Sequence, residues 1–134
     1  MANRTHDWLR QADADLRHAR TSLAAGEHEW SCFAAQQAAE KAVKALFMAR
    51  GMEAWGHTVS ALLGALGEVL AVPGALVEAA KSLDKHYIPT RYPNGFDSGA
   101  PTDFYTAGEA RQAIRDAEAI VELCRGQTGP AGGG

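Results

Sequence analysis

The sequence predicts an all-α protein, an up-and-down bundle of four to five helices with a long ordered loop before the last one. Three observations predict it. Apolar residues recur at steps of three and four along most of the chain, no stretch alternates like a strand, and glycine or proline punctuates the periodic segments. The length of 134 residues fits one domain, read as a bundle over residues 1–125 and a glycine-rich tail over 126–134.

The first helix carries Trp8, Ala12, Leu16, Ala19 and Leu23 on one stripe, with Arg10, Asp13, Arg17 and Arg20 turned elsewhere, and Gly26 ends it. The second begins near Glu27 to Trp30 and runs to Gly51. Its alanines at 34, 35, 38, 39, 42, 45 and 49 lie on several faces, which lets neighbouring backbones approach closely and places this helix at the centre. Val59, Leu62, Leu63, Leu66, Val69 and Leu70 form the stripe of a third helix, with Thr58 as its expected cap. Pro73 suits the first turn of a fourth, whose inner face is Leu76, Val77, Ala80 and Leu83, and which stops before Pro89. The last helix opens on Thr106 and Glu109, spaced as a capping box, and repeats Ala110, Ala113, Ile114, Ala117, Ile120, Val121 and Cys124. Between them, the prolines and aromatic residues of Ile88 to Tyr105 describe a packed loop. The tail holds five glycines and one proline in nine residues and is expected to be disordered.

Composition removes several function classes. With 46% hydrophobic and 22% charged residues the chain is an ordinary globular one, and a net charge of -3 argues against nonspecific gripping of duplex DNA. No apolar run reaches membrane-spanning length, and the charged start does not read as a secretory signal, so the expected location is the cytoplasm. Cys32 and Cys124 are isolated and read as buried thiols. No metal-ligand set is evident and no cofactor is implied. Phosphate-loop, dinucleotide, nucleophile-elbow and zinc-protease motifs are all missing.

Two polar clusters remain. On the second helix, Gln37, Glu40 and Lys44 share a stripe between Phe33 and Phe47, with Lys41 on the adjacent stripe. Glu40 and Lys44 have the spacing of an ordinary surface ion pair. Alternatively, Gln37, Lys41 and Lys44 line a groove where a nucleotide or RNA phosphate meets two ammonium groups flanked by rings. The second cluster is D-K-H-Y-I-P-T-R-Y-P-N-G-F, from Asp84 to Phe96. It is either a turn pinned by proline, with Arg91 on a carboxylate, or a site where Arg91 presents its planar fork to phosphate and Tyr92 stacks. His86 is available to assist but is also placed to cap or pack.

The run A-A-Q-Q-A-A-E-K-A-V-K-A-L from Ala34 to Leu46, His57 after a glycine-bearing break, and L-D-K-H-Y-I-P-T-R-Y-P from Leu83 to Pro93 together resemble the HEPN family. The resemblance covers about Trp8 to Leu123. It implies a dimerising helical bundle, often encoded beside a minimal nucleotidyltransferase in a toxin-antitoxin-type system and associated with RNA cleavage or nucleotide binding. The family's ribonucleases carry an arginine, four to six residues, then a histidine near the start of the last long helix. Here no histidine follows Arg91, and the one formal match, Arg50 with His57, falls between the second and third helices.

Three expectations follow. The first is a homodimeric nucleotide- or RNA-binding module working with a nucleotidyltransferase, its site made of Gln37, Lys41, Lys44, His57, Arg91 and Tyr92. The second is a metal-independent ribonuclease toxin using Arg50 and His57, or a set around Arg91 and His86. The third is a non-catalytic dimeric scaffold.

Overall fold

The computed structural model describes residues 3–128, and among these every regular element is helical. α1 spans Thr5–Ala24, α2 His28–Ala49, α3 Val59–Leu66, α4 Gly74–Asp84, α5 Pro101–Phe104 and α6 Ala107–Gln127, with a 3-10 turn at Pro93–Gly95. The expected bundle of four to five helices is therefore five of two turns or more plus the single turn α5, wound inside the long loop. The final helix continues through Gly126 and Gln127, past the boundary at which the disordered tail was expected to begin; residues 129–134 of that tail lie outside the described residues.

α2 is the central element. It packs along α1 and α6 and also meets α3, α4 and α5. Its composition explains this: Ala35, Ala38, Ala39, Ala42 and Ala45 are all fully enclosed, so both neighbours come close without side chains intervening. Larger residues fill the remaining space, with Val43, Leu46, Leu63, Leu66, Leu83, Ile120 and Val121 buried. Each such aliphatic side chain contributes about 1.5–3 kcal/mol by leaving water. Ser31 Oγ donates to the Ala19 carbonyl at 2.7 Å, fastening α2 to α1 inside this apolar seam.

Both long N-terminal helices end as their glycines predict. Gly26 (φ 78) and Gly51 (φ 67) take the left-handed conformation that glycine adopts without penalty. The next amide in each case reaches back, Glu27 N–H to the Ser22 carbonyl at 2.8 Å and Met52 N–H to the Phe47 carbonyl at 2.9 Å. The second reversal turns the chain straight into the 50–58 loop, which carries His57.

The third helix is shorter than its apolar stripe, and the fourth starts one residue later than expected. α3 stops at Leu66, and Val69 is half exposed in the turn that follows. Pro73 sits just before α4 instead of in its first turn. Thr58 precedes α3 as expected but its side chain makes no cap hydrogen bond. Asp84, at the far end of α4, does that work. Its carboxylate accepts from Val59 N–H at 2.7 Å and Ser60 N–H at 3.3 Å, and from the Ser60 hydroxyl. α6 opens on the capping box read from Thr106 and Glu109, with both reciprocal bonds at 3.1 Å.

Candidate functional site

Three elements converge beside the middle of α2: the 50–58 loop, the end of α4, and the turn that follows it. Their hub is Glu40, a carboxylate only 5% exposed. Oε1 accepts from Gln36 Nε2 at 3.2 Å, and Oε2 accepts from Lys44 Nζ at 3.0 Å. His57 Nδ1 lies 3.2 and 3.0 Å from the two oxygens. Gln36, fully buried, also donates to the His57 carbonyl at 3.3 Å, so both the backbone and the ring of His57 are registered on α2. Burial pushes the Glu40 carboxyl up. The hydrogen bonds from His57, Lys44 and Gln36 outweigh burial and hold it below the ordinary glutamate range.

The His57 ring, half exposed, stacks on Tyr87 with centroids 4.7 Å apart and planes 17° from parallel. Tyr87 in turn joins the arginine. Arg91 Nε and Nη2 both donate to the Tyr87 carbonyl, at 2.9 and 2.6 Å. Its guanidinium carbon lies 4.4 Å from the Phe33 ring centre, 4.8 Å from Tyr87 and 5.4 Å from Tyr92. Two of five N–H groups are thus used, and among the described residues Arg91 meets no carboxylate. An open cleft of about 450 Å³ runs alongside, lined by His57, Lys85, Tyr87 and Ile88. Trp55, 80% exposed, stands two residues before His57.

The six candidate residues are linked by one chain of contacts, with Lys41 at its outer end. Lys44 reaches Glu40, Glu40 reaches His57, His57 stacks on Tyr87, and Tyr87 carries Arg91 with Tyr92 beyond it. Gln37 joins through Gln36, donating to its Oε1 at 2.8 Å. Lys41 faces the other way: its ammonium is held by Asp15 of α1 at 2.6 Å and by Gln37 at 3.2 Å. Lys44 is likewise paired, so the open groove walled by the free ammonium groups of Lys41 and Lys44 is absent, and the cleft is lined instead by His57, Tyr87, Lys85 and the Asp84 carboxylate that caps α3.

The expected ribonuclease pairs are not assembled. Arg50 donates to Gln127 at the end of α6, at 3.2 Å, while His57 is bound to Glu40. His86 faces away, edge-on to Tyr105 at 5.6 Å, with Nδ1 buried and unpartnered. Burial lowers its pKa. Glu40, Gln36, Phe33 and Tyr87 were not among the candidates. Glu40 had been read only as a surface partner of Lys44, because alanines on several faces of α2 leave no apolar stripe against which a buried carboxylate would stand out. Among the described residues no group of three or more His, Cys, Asp or Glu is placed to hold a metal ion, and no helix is long and apolar enough to cross a membrane.

The chain and its helical bundle have clear relatives. The HEPN domain matches residues 5–127, and the chain belongs to that family. It is similar to TT1696 of Thermus thermophilus, with 51% identity, a TM-score of 0.91, and coverage of 94% of this chain and 99% of that one. ST0689, an archaeal HEPN homologue, shares 38% identity at a TM-score of 0.81, covering 96% and 100%. A HEPN domain protein of Thermotoga maritima shares 38% at 0.75, covering 90% and 96%. A Methanocaldococcus jannaschii protein bearing the name "putative toxin" is 26% identical over 127 residues, 88% of this chain and 84% of that protein.

Proposed function

We propose that the protein is a toxin-like HEPN module of the cytoplasm that binds nucleotide or RNA phosphate at the His57 and Arg91 cluster, acts as a homodimer, and works with a minimal nucleotidyltransferase. One observation carries the binding reading: an imidazole and a guanidinium, drawn from segments more than thirty residues apart, share the ring of Tyr87, and that imidazole and ring line an open cleft. Arg91, with two N–H groups on the Tyr87 carbonyl, keeps three for a phosphate, and Tyr92 and Trp55 offer exposed rings for a base. The toxin-like role is supported by the family and by the name of the Methanocaldococcus relative.

Binding of labelled ATP, GTP and a dinucleotide tests it. Arg91→Ala and His57→Ala are expected to weaken affinity at least tenfold, and Lys44→Ala to weaken it less, by releasing Glu40. Unchanged affinity in the Arg91 and His57 variants would remove the assignment. Co-purification with a nucleotidyltransferase encoded beside the gene tests the partner.

A second reading, metal-independent RNA cleavage, is favoured by the geometry of His57 itself. Glu40 at Nδ1 fixes the tautomer with the proton on that nitrogen, leaving the Nε2 lone pair for a ligand. Such a base takes the proton of a ribose 2′-hydroxyl as that oxygen attacks the adjacent phosphorus and the 5′-oxygen leaves. Incubation with RNA in EDTA decides: cleavage lost in His57→Ala supports it, and intact RNA at high protein concentration excludes it.

A further inference from the structure

A second cleft lies apart from this site. It measures about 620 Å³ and lies on the outer side of α1, where Trp8, Arg4, Arg10 and Arg17 line it together with Lys41 from α2. Asp7 and Asp13 line it too. The acids are engaged: Asp7 takes Arg4 at 3.1 Å and Arg10 at 3.9 Å, Asp13 takes Arg125 at 2.6 Å, and Asp15 takes Lys41. Four cations, Arg4, Arg10, Arg17 and Lys41, thus line the cleft against two carboxylates, Asp7 and Asp13, on a protein whose net charge is -3, a local reversal of sign. Arg17 is exposed and, among the described residues, makes neither a hydrogen bond nor an ion pair.

The arrangement is linear. Arg4, Arg10 and Arg17 follow one helix, so their α-carbons extend over about 20 Å at 1.5 Å per residue. One phosphate group, or the short tail of a mononucleotide, cannot engage cations so spaced, whereas successive phosphates of a strand can. Trp8 adds what a purely ionic surface lacks: an indole packed on the core along one side and forming part of the cleft wall, in reach of a base. We infer that the Trp8, Arg10 and Arg17 cleft on α1 binds the backbone of single-stranded RNA, as a second site apart from the His57 cluster. Lys41 connects the two regions, since its partner Gln37 bonds Gln36, which bonds Glu40.

The test uses the full chain and a fluorescein-labelled single-stranded RNA dodecamer, followed by anisotropy at two salt concentrations. Arg10→Glu with Arg17→Glu, both on exposed side chains, is expected to weaken binding at least tenfold and flatten the salt dependence by about two phosphate contacts. The double lysine variant is expected to retain affinity. His57→Ala with Arg91→Ala is expected to abolish ATP binding while the dodecamer still binds this cleft, so failure of one site does not mimic failure of the other. In a Trp30→Phe, Trp55→Phe background, where Trp8 is the sole tryptophan, RNA is expected to quench its fluorescence. Unchanged RNA affinity on charge reversal, no Trp8 quench, or displacement of the RNA by ATP or by polyglutamate at equal charge concentration would each overturn the proposal.

Discussion

Glu40 shows how one side chain organises a site. Its carboxylate sits in a nearly closed part of the bundle, yet receives donors from Gln36, Lys44 and His57. Removing it takes one of two acceptors from the buried Gln36 amide and the acceptor of the largely buried Lys44 ammonium, and Glu40→Ala is expected to cost about 2–3 kcal/mol in urea denaturation. The pH dependence has a definite sign. A carboxyl whose pKa is lower in the folded than in the unfolded state, where it is about 4.3, stabilises fully above that value. The contribution fades as pH falls through the lowered folded value, so the wild type is expected to lose stability below about pH 4.3 more steeply than Glu40→Gln. The two thiols make the opposite case. Cys32 and Cys124 are wholly enclosed and burial pushes both up to about 12. Neither is expected to react with a thiol reagent at neutral pH until denaturant is added. Their burial was legible from isolation in the sequence; the burial of Glu40 was not, since its position differs from its neighbours only in what lies across from it.

At the scale of elements, helix ends divide into those written locally and those supplied from a distance. Thr106 with Glu109, and Gly26 and Gly51, complete their caps within six residues, and all were readable as patterns. The start of α3 was not. Thr58 has the right chemistry and the right place, but Asp84, 25 residues further along from Val59, supplies the acceptor. Asp84→Ala is therefore expected to cost about 1–2 kcal/mol, and Thr58→Ala close to nothing, in paired denaturation curves. A large loss from Thr58→Ala would contradict the assignment. The same clamp draws the end of α4 against the 50–58 loop, which is how the turn bearing Tyr87 and Arg91 comes to lie beside His57.

For the whole molecule, the outstanding question is what covers the rings left at the surface. Trp30 is 45% exposed and edge-on to Phe33, and Ile88 and Tyr92 are each 49% exposed, the latter beside Arg91. If this face forms the proposed dimer, sedimentation is expected to show a species of twice the 14.2 kDa chain mass, and Trp30→Glu to shift it to monomer. A monomer at tens of micromolar would reject the dimer.

The helical class, the order of the long elements and the centrality of α2 were legible along the chain, because apolar periodicity, glycine stops and small-residue faces act over a few neighbouring residues. The sequence also singled out the two segments that carry the HEPN resemblance. The Glu40 and Lys44 pair was legible as i,i+4 spacing, but its burial and the long-range partners came from the packing: that Lys41 turns to Asp15 of α1, that His57 bonds Glu40 and stacks on Tyr87, and that Arg50 reaches Gln127 instead of His57. These partners lie 17 to 77 residues apart, and no local pattern encodes such a pairing.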